Sequence, residues 1–170
     1  PRRRTGAHLA GRGRLLQAMT LRDTIAVLER MARLQPSVRM IVRNDVYRLN
    51  TYPDARYGVF AWTQQQHRVA GDLAYFSFAL FYIDRLTEDG SNEVEVQSTG
   101  IATLTNILRR LEDYGIEPGA EFTFQTFHQR FLDECAGAWC SVTLSVPVDD
   151  TCAEAWPDFN DDFNDDFLII

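Results

Sequence analysis

The stretch from Leu73 to Leu86 constrains this chain more than any other. Phe76, Phe78, Leu80 and Tyr82 fall in one phase of an extended strand, and Tyr75, Ala79, Phe81 and Ile83 fall in the other. Neighbouring strand residues point to opposite faces, so both faces of this strand are apolar. An antiparallel strand in a small domain normally keeps one face wet. A second layer, or another subunit, is therefore expected over the second face.

Around this strand the hydrophobic period switches between that of a helix and that of a strand. Thr20, with Asp23 three residues later, opens a helix to about Leu34 that buries Leu21, Ile25, Leu28 and Ala32, and Pro36 stops it. Val46–Thr51 reads as a short strand, with a turn over 52–56. Val59–Arg68 reads as the next, carrying Phe60 and Trp62 on one face, and Ala70-Gly71-Asp72 closes a hairpin into Leu73–Leu86. Asn92 and Glu95 predict a capping box for a second helix with Val94, Gln97, Ile101, Leu104, Leu108 and Leu111 along one stripe, ended by Gly115. A fourth strand over Glu121–Cys135 requires a bulge near Gln125–Thr126, because Phe122 and Phe124 are out of phase with Phe127 and Phe131. Ala136-Gly137-Ala138 is expected to turn the chain into Trp139–Val148, which puts Cys140, Val142, Leu144 and Val146 on one face. The order α-β-β-β-α-β-β predicts an α+β fold: an antiparallel sheet of about five strands with two helices packed on one face.

Charge divides the chain into three. Of 170 residues, 17 are Arg, none is Lys and 24 are acidic, for a net charge of -7. Residues 1–18 carry five Arg and no acid; residues 149–170 carry eight acids and no base. The expected organisation is a basic extension over 1–18 outside the fold, one domain over 19–148, and an acidic Phe-repeat tail over 149–170. Met19, where the helical pattern opens, reads as a natural start, with the Arg-rich stretch either a leftover of upstream sequence or a basic arm for nucleic acid. Phe159, Phe163 and Phe167 recur every fourth residue among the acids of the tail. That pattern suits a solvated tail, or a short amphipathic helix that docks its Phe edge. No stretch suits a bilayer span, and no apolar core of a secretory signal follows Arg2-Arg3-Arg4.

Candidate chemistry is weak throughout. His128, Cys135, Cys140 and Cys152 match no common zinc spacing. His128 and Cys135, read on one strand, would stand about 23 Å apart, too far for a nucleophile pair. Cys135 and Cys140 read as flanking a hairpin turn, with Cys140 packing as a small hydrophobe. Adjacent carboxylates such as Asp133-Glu134 point to opposite faces of a strand. A phosphate-cradling glycine loop is absent, and without Lys no Walker motif is possible. Neither a catalytic residue nor a metal ligand nor a cofactor is expected.

Four segments carry a family resemblance: Gly58-Val59-Phe60-Ala61-Trp62-Thr63-Gln64-Gln65-Gln66-His67, Phe81-Tyr82-Ile83-Asp84-Arg85-Leu86, Gln97-Ser98-Thr99-Gly100-Ile101 and Arg130-Phe131-Leu132-Asp133-Glu134-Cys135-Ala136-Gly137. They resemble the tail-completion or tail-terminator proteins of long-tailed phages and prophages of gut bacteria, over roughly Met19 to Val148. The resemblance implies a helix, a strand meander, a second helix and a closing strand pair. It also implies a non-enzymatic virion part: a homo-oligomeric ring, usually a hexamer, capping the head-proximal end of the tail tube. Its partners would be further copies of itself, the tail tube protein and the head–tail connector protein. DNA would pass only as cargo through the lumen, and no membrane would be involved. Such a protein works in the host cytoplasm during assembly and then in the virion. The Arg-rich start and the acidic end depart from the family pattern.

A ring subunit must hide apolar surface against a neighbour, and the doubly apolar third strand is the expected seam. The polar run Gln64, Gln65, Gln66 and His67, and Asp84, Arg85, Asp89 and Asn92 of the loop after that strand, are expected at sheet ends as assembly contacts. Alternatives are a neck or minor tail protein of the same fold, a binding module whose acidic tail engages a basic partner, and, last, an enzyme.

Overall fold

A computed structural model describes residues 18–51, 55–130 and 133–148. The acidic Phe repeat, most of the basic extension, Phe131 and Cys152 lie outside the described residues. Helix α1 (Leu21–Arg33) starts as its sequence demands. The Thr20 hydroxyl accepts from the Asp23 N–H, and the Asp23 carboxylate accepts from the Thr20 N–H, a reciprocal capping box. The strands are β1 (Met40–Arg43), β2 (Val59–Ala70), β3 (Leu73–Arg85), β4 (Gln125–Arg130) and β5 (Glu134–Pro147), and helix α2 (Glu93–Leu111) follows β3. They form an α+β fold whose five-stranded sheet has the order β1-β2-β3-β5-β4, antiparallel except for the parallel pair β1–β2. No helix among the described residues is long and apolar enough to cross a membrane.

Both helices cover one face. Leu28, Met31 and Ala32 of α1 and Leu104, Ile107, Leu108 and Leu111 of α2 pack on Phe60, Trp62, Phe78, Leu80, Tyr82, Cys140, Leu144 and Val146. Each fully buried side chain of this size contributes roughly 1.5–3 kcal/mol. This is the main core.

The expected order of elements holds, but its first strand is a different segment. Val46–Thr51 forms a 3-10 helix and not a strand. The Tyr47 N–H donates to the Asp45 carboxylate (2.8 Å), which favours a helical turn over extension. The true first strand is Met40–Arg43, four residues long, and its parallel pairing with Val59–Trp62 needs a crossover. The described part of that connection carries the 3-10 helix onto the second face of the sheet. There Leu49 joins Val42, Val59, Ala61, Ile83 and Cys135 in a smaller core.

Two further expectations are corrected. No bulged strand starts at Glu121: Phe122 and Phe124 precede β4 and pack against the main core outside any strand. Nor do Ala136-Gly137-Ala138 turn the chain, because they lie inside β5. They are small for a packing reason. A Cβ on Gly100 of α2 would come within 3.1 Å of the Ala138 Cβ and of the Tyr82 ring, so α2 sits close on this part of the sheet. On the other face, a Cβ on Gly137 would collide with the Tyr82 carbonyl oxygen and stand 2.8 Å from the Phe127 ring. Leu104, Leu108 and Leu111 of the expected α2 stripe are buried, but at the N-terminal end the contact passes through Val96, Gly100 and Thr103, and Val94 is left 77% exposed.

Gly137→Ala should therefore cost about 3 kcal/mol through overpacking. Urea unfolding should show a lower midpoint at unchanged slope; an unchanged midpoint would mean that the strand has room there.

Candidate functional site

The run Gln64–His67 is not at a sheet end. It lies midway along β2, at a bulge where Gln64 pairs with Phe78 and His67 with Phe76. β1 accompanies β2 only as far as Trp62, so from Thr63 onward no described strand pairs with the outer edge of β2. A bulge on such an edge opposes indiscriminate strand addition. The His67 ring meets Phe76 edge-on at 5.5 Å, and its Nδ1 accepts from the Ser77 N–H. The neutral ring then carries its proton on Nε2, 3.3 Å from Gln64 Oε1. Gln65 reaches across β3 to accept from the Ser141 hydroxyl on β5 (2.8 Å). Gln64 and Gln66 are exposed.

The loop after β3 lies at the far end of the strand from the hairpin, as expected. Six residues of β3 separate Phe78, the partner of Gln64, from Asp84, about 20 Å along a strand. The two groups of candidates are thus not brought together. Two of these candidates, Asp89 and Asn92, hold the loop itself. The Asp89 carboxylate accepts from the hydroxyls of Thr87 and Ser91, both at 2.8 Å. Asn92 occupies the N-cap position of α2, but the expected capping box is not formed. Its side chain instead accepts from the Thr87 N–H and donates to the Arg85 carbonyl, because the loop has backbone groups of its own to satisfy. Asp84 accepts from the Tyr82 hydroxyl (3.2 Å). Arg85 pairs with Asp133 at 2.9 Å, and the Tyr57 hydroxyl donates to the same carboxylate. Burial, with the neighbouring Cys135 and Asp133, pushes the Tyr57 phenol well above its ordinary range. Arg85 and Asp133 border an open hollow of about 480 Å³.

Cys140 packs in the main core as its phase predicts, but Cys135 does not flank a hairpin turn with it, since both lie within β5. His128 and Cys135 occupy paired strands, one position out of register. Their side chains point to opposite faces of the sheet, and so do those of Cys135 and Cys140 on β5. Burial pushes the Cys135 thiol up to about 11 and the Cys140 thiol up to about 12. Both are protonated at neutral pH, which makes them poor nucleophiles. Among the described residues no group of three or more His, Cys, Asp or Glu side chains is placed to hold a metal ion.

Two arrangements escaped sequence reasoning. Glu29, only 3% exposed, receives both arms of Arg43 at 2.6 Å and the Trp62 indole N–H at 3.2 Å. Burial raises its carboxyl pKa, but the Arg43 hydrogen bonds and charge, the Trp62 bond and Arg33 outweigh that and leave it below the ordinary value. A Glu at a core-facing position of an amphipathic helix was the available signal. The second arrangement is on the open face of the sheet. Phe81 and Trp139 stack there at 5.8 Å, both half-buried. Beyond them this face turns polar, with Ser77 and Thr143 hydrogen-bonded at 2.8 Å.

Part of the expected seam along β3 is covered by the chain itself, while Phe81 on the same face stays half-buried. Ile83 is fully buried under the chain's own 3-10 helix layer and Ala79 is 5% exposed, so a sister copy is not needed to cover them. Over Ile83 the crossover imposed by the parallel strand does that work, through Leu49.

No family model matches this chain, and no curated protein matches its sequence.

Glu29→Ala should cost about 2–3 kcal/mol at neutral pH, because Arg43 loses its partner and the buried indole N–H loses its acceptor. The folded carboxyl titrates below its unfolded value, so its contribution is complete above the ordinary carboxylate range and is lost as pH falls through the folded value. The gap between wild type and variant in urea unfolding should therefore narrow from about pH 7 to about pH 3.

The hydroxyls of Thr87 and Ser91 hold the Asp89 carboxyl down to about 2. Its contribution to the loop is complete above about pH 4 and fades as pH falls toward its folded value. Carboxyl carbon NMR should find Asp89 titrating low, and the double variant Thr87→Val, Ser91→Ala should bring it back to the ordinary range.

Proposed function

We propose that this chain is a structural ring subunit of a phage tail, a tail terminator that caps the tube and meets the head connector. One observation carries most of the weight: two helices cover one face of the sheet, and the other keeps an incompletely covered aromatic pair, Phe81 and Trp139. Paired aromatics of this kind are frequent anchors of subunit contacts. The outer edge of β2 beyond Trp62, with its bulge at Gln65 and Gln66 and no described strand beside it, offers a second, polar contact line. The order of elements agrees with that implied by the family resemblance, which supports the reading further. In a ring, the neighbouring subunit would lie over Phe81 and Trp139, and a mildly acidic lumen would let DNA pass without binding it. A neck protein of the same fold would use the same surfaces. Loss of the gene distinguishes the two, since tails of uncontrolled length indicate a terminator and normal tails without heads indicate a neck protein.

Mass photometry and negative-stain microscopy of the full chain, alone and with the tail tube protein, should show closed rings. Trp139→Arg should weaken subunit association about 100-fold while far-ultraviolet circular dichroism stays unchanged. Monomers under both conditions would overturn the proposal.

A further inference from the structure

An open groove of about 700 Å³ runs between α1 and the β1 side of the sheet. Its apolar wall is Leu21, Ile25 and Ala26 of α1, and Trp62 and Glu29 form part of its lining. Arg22 and Arg43 also line it; Arg22 is exposed, and the Arg43 side chain is 60% exposed. Glu29 is matched by two cations, Arg43 and Arg33, so the groove carries net positive charge. Asp23, next to Arg22, is turned back onto Thr20. Across residues 19–48 there are six Arg against three acids, whereas residues 49–148 hold six Arg against 13 acids. Within residues 19–148, which hold 12 Arg against 16 acids, this stretch is the exception.

The last described residues, Pro147 and Val148, lie beside the start of α1 and so near this groove. The Met19 N–H, just before α1, donates to the Pro147 carbonyl at 3.0 Å, and the Val148 N–H donates to Asp72 at 2.9 Å. Ile25 is about 9 Å up the helix from Met19. Phe159 is eleven residues beyond Val148, a reach of up to about 36 Å. From there to Phe167 the sequence repeats a Phe every four residues with two Asp in each interval. Apolar rings and carboxylates alternate in that repeat, and the groove offers an apolar wall together with the guanidinium groups of Arg22 and Arg43.

We propose that the acidic Phe repeat of this same chain docks in the α1–β1 groove, with its rings against Leu21, Ile25 and Ala26 and its carboxylates on Arg22 and Arg43. Tethering raises the local concentration of the segment far above that of any free partner. The docked tail also shields the Glu29–Arg43 pair from water. Such docking within one chain does not require ring formation.

Photocrosslinking of the full chain tests it, with benzoylphenylalanine in place of Phe163 in one preparation and of Phe167 in another. Mass spectrometry should map the crosslinks to the α1 segment around Leu21–Ala26. Irradiation after mixing with isotope-labelled, probe-free chain should give no crosslink to the labelled copy. The double variant Arg22→Glu, Ile25→Asp should lower the groove crosslink about fivefold with an unchanged circular dichroism spectrum. Salt of about 1 M, which shortens the screening length to about 3 Å, should also reduce it. Crosslinks at other surfaces, transfer to the labelled copy, or an unchanged yield in the double variant would overturn the proposal.

Discussion

Everything in this fold depends on β3 being paired on both flanks, with β5 along its whole length and with β2 from Leu73 to Ile83. β2 lies on one flank from Val59 to Ala70, and β5 lies on the other from Cys135 to Pro147. A central strand of this kind cannot be hydrated on its flanks, and its apolar side chains point both ways, so each face needs cover. The helices provide it on one side. On the other, the parallel β1–β2 pair forces a long return connection, and the 3-10 helix in that connection places Leu49 over Ile83 and Ala61. One geometric requirement, the crossover, thus supplies half of the second layer.

The remaining half is where interaction surfaces lie. From the Phe81–Trp139 stack toward the hairpin the sheet carries Ser, Thr and Gln side chains that bond one another across strands. A face that is apolar at one end and polar at the other suits contact with another surface without requiring it for folding. The opposite side of the molecule has a different character. Glu29 anchors α1 to β1 through Arg43 and to the sheet through Trp62. Desolvation of that carboxylate is offset only by the convergence of several donors, which also makes the α1–β1 side the positive one in an acidic protein.

Much of the architecture was legible in the sequence because it follows from local rules. The Thr20–Asp23 box, the hydrophobic period of both helices, the β2–β3 hairpin and the inward phase of Cys140 to Val146 each depend on residues close in sequence. The misread elements share a cause. Val46–Thr51 alternates like a strand, yet one side-chain bond from Asp45 commits it to a helical turn. Ala136-Gly137-Ala138 reads as a turn because small residues usually mark one, but here they are small because α2 and the Phe127 ring lie against them. Asn92 has the residue type of a cap and the position of a cap, and a neighbouring loop claims its side chain.

The sequence by itself therefore determined the fold class, the order of its elements and the double apolar character of β3, since periodicity and capping are written in neighbouring residues. Only the tertiary structure decided that β1 runs parallel to β2, that the crossover covers Ile83, and that Glu29 meets Arg43 and Trp62. Those outcomes depend on which distant segments come together, and pairing between residues far apart in the chain leaves no local period to read.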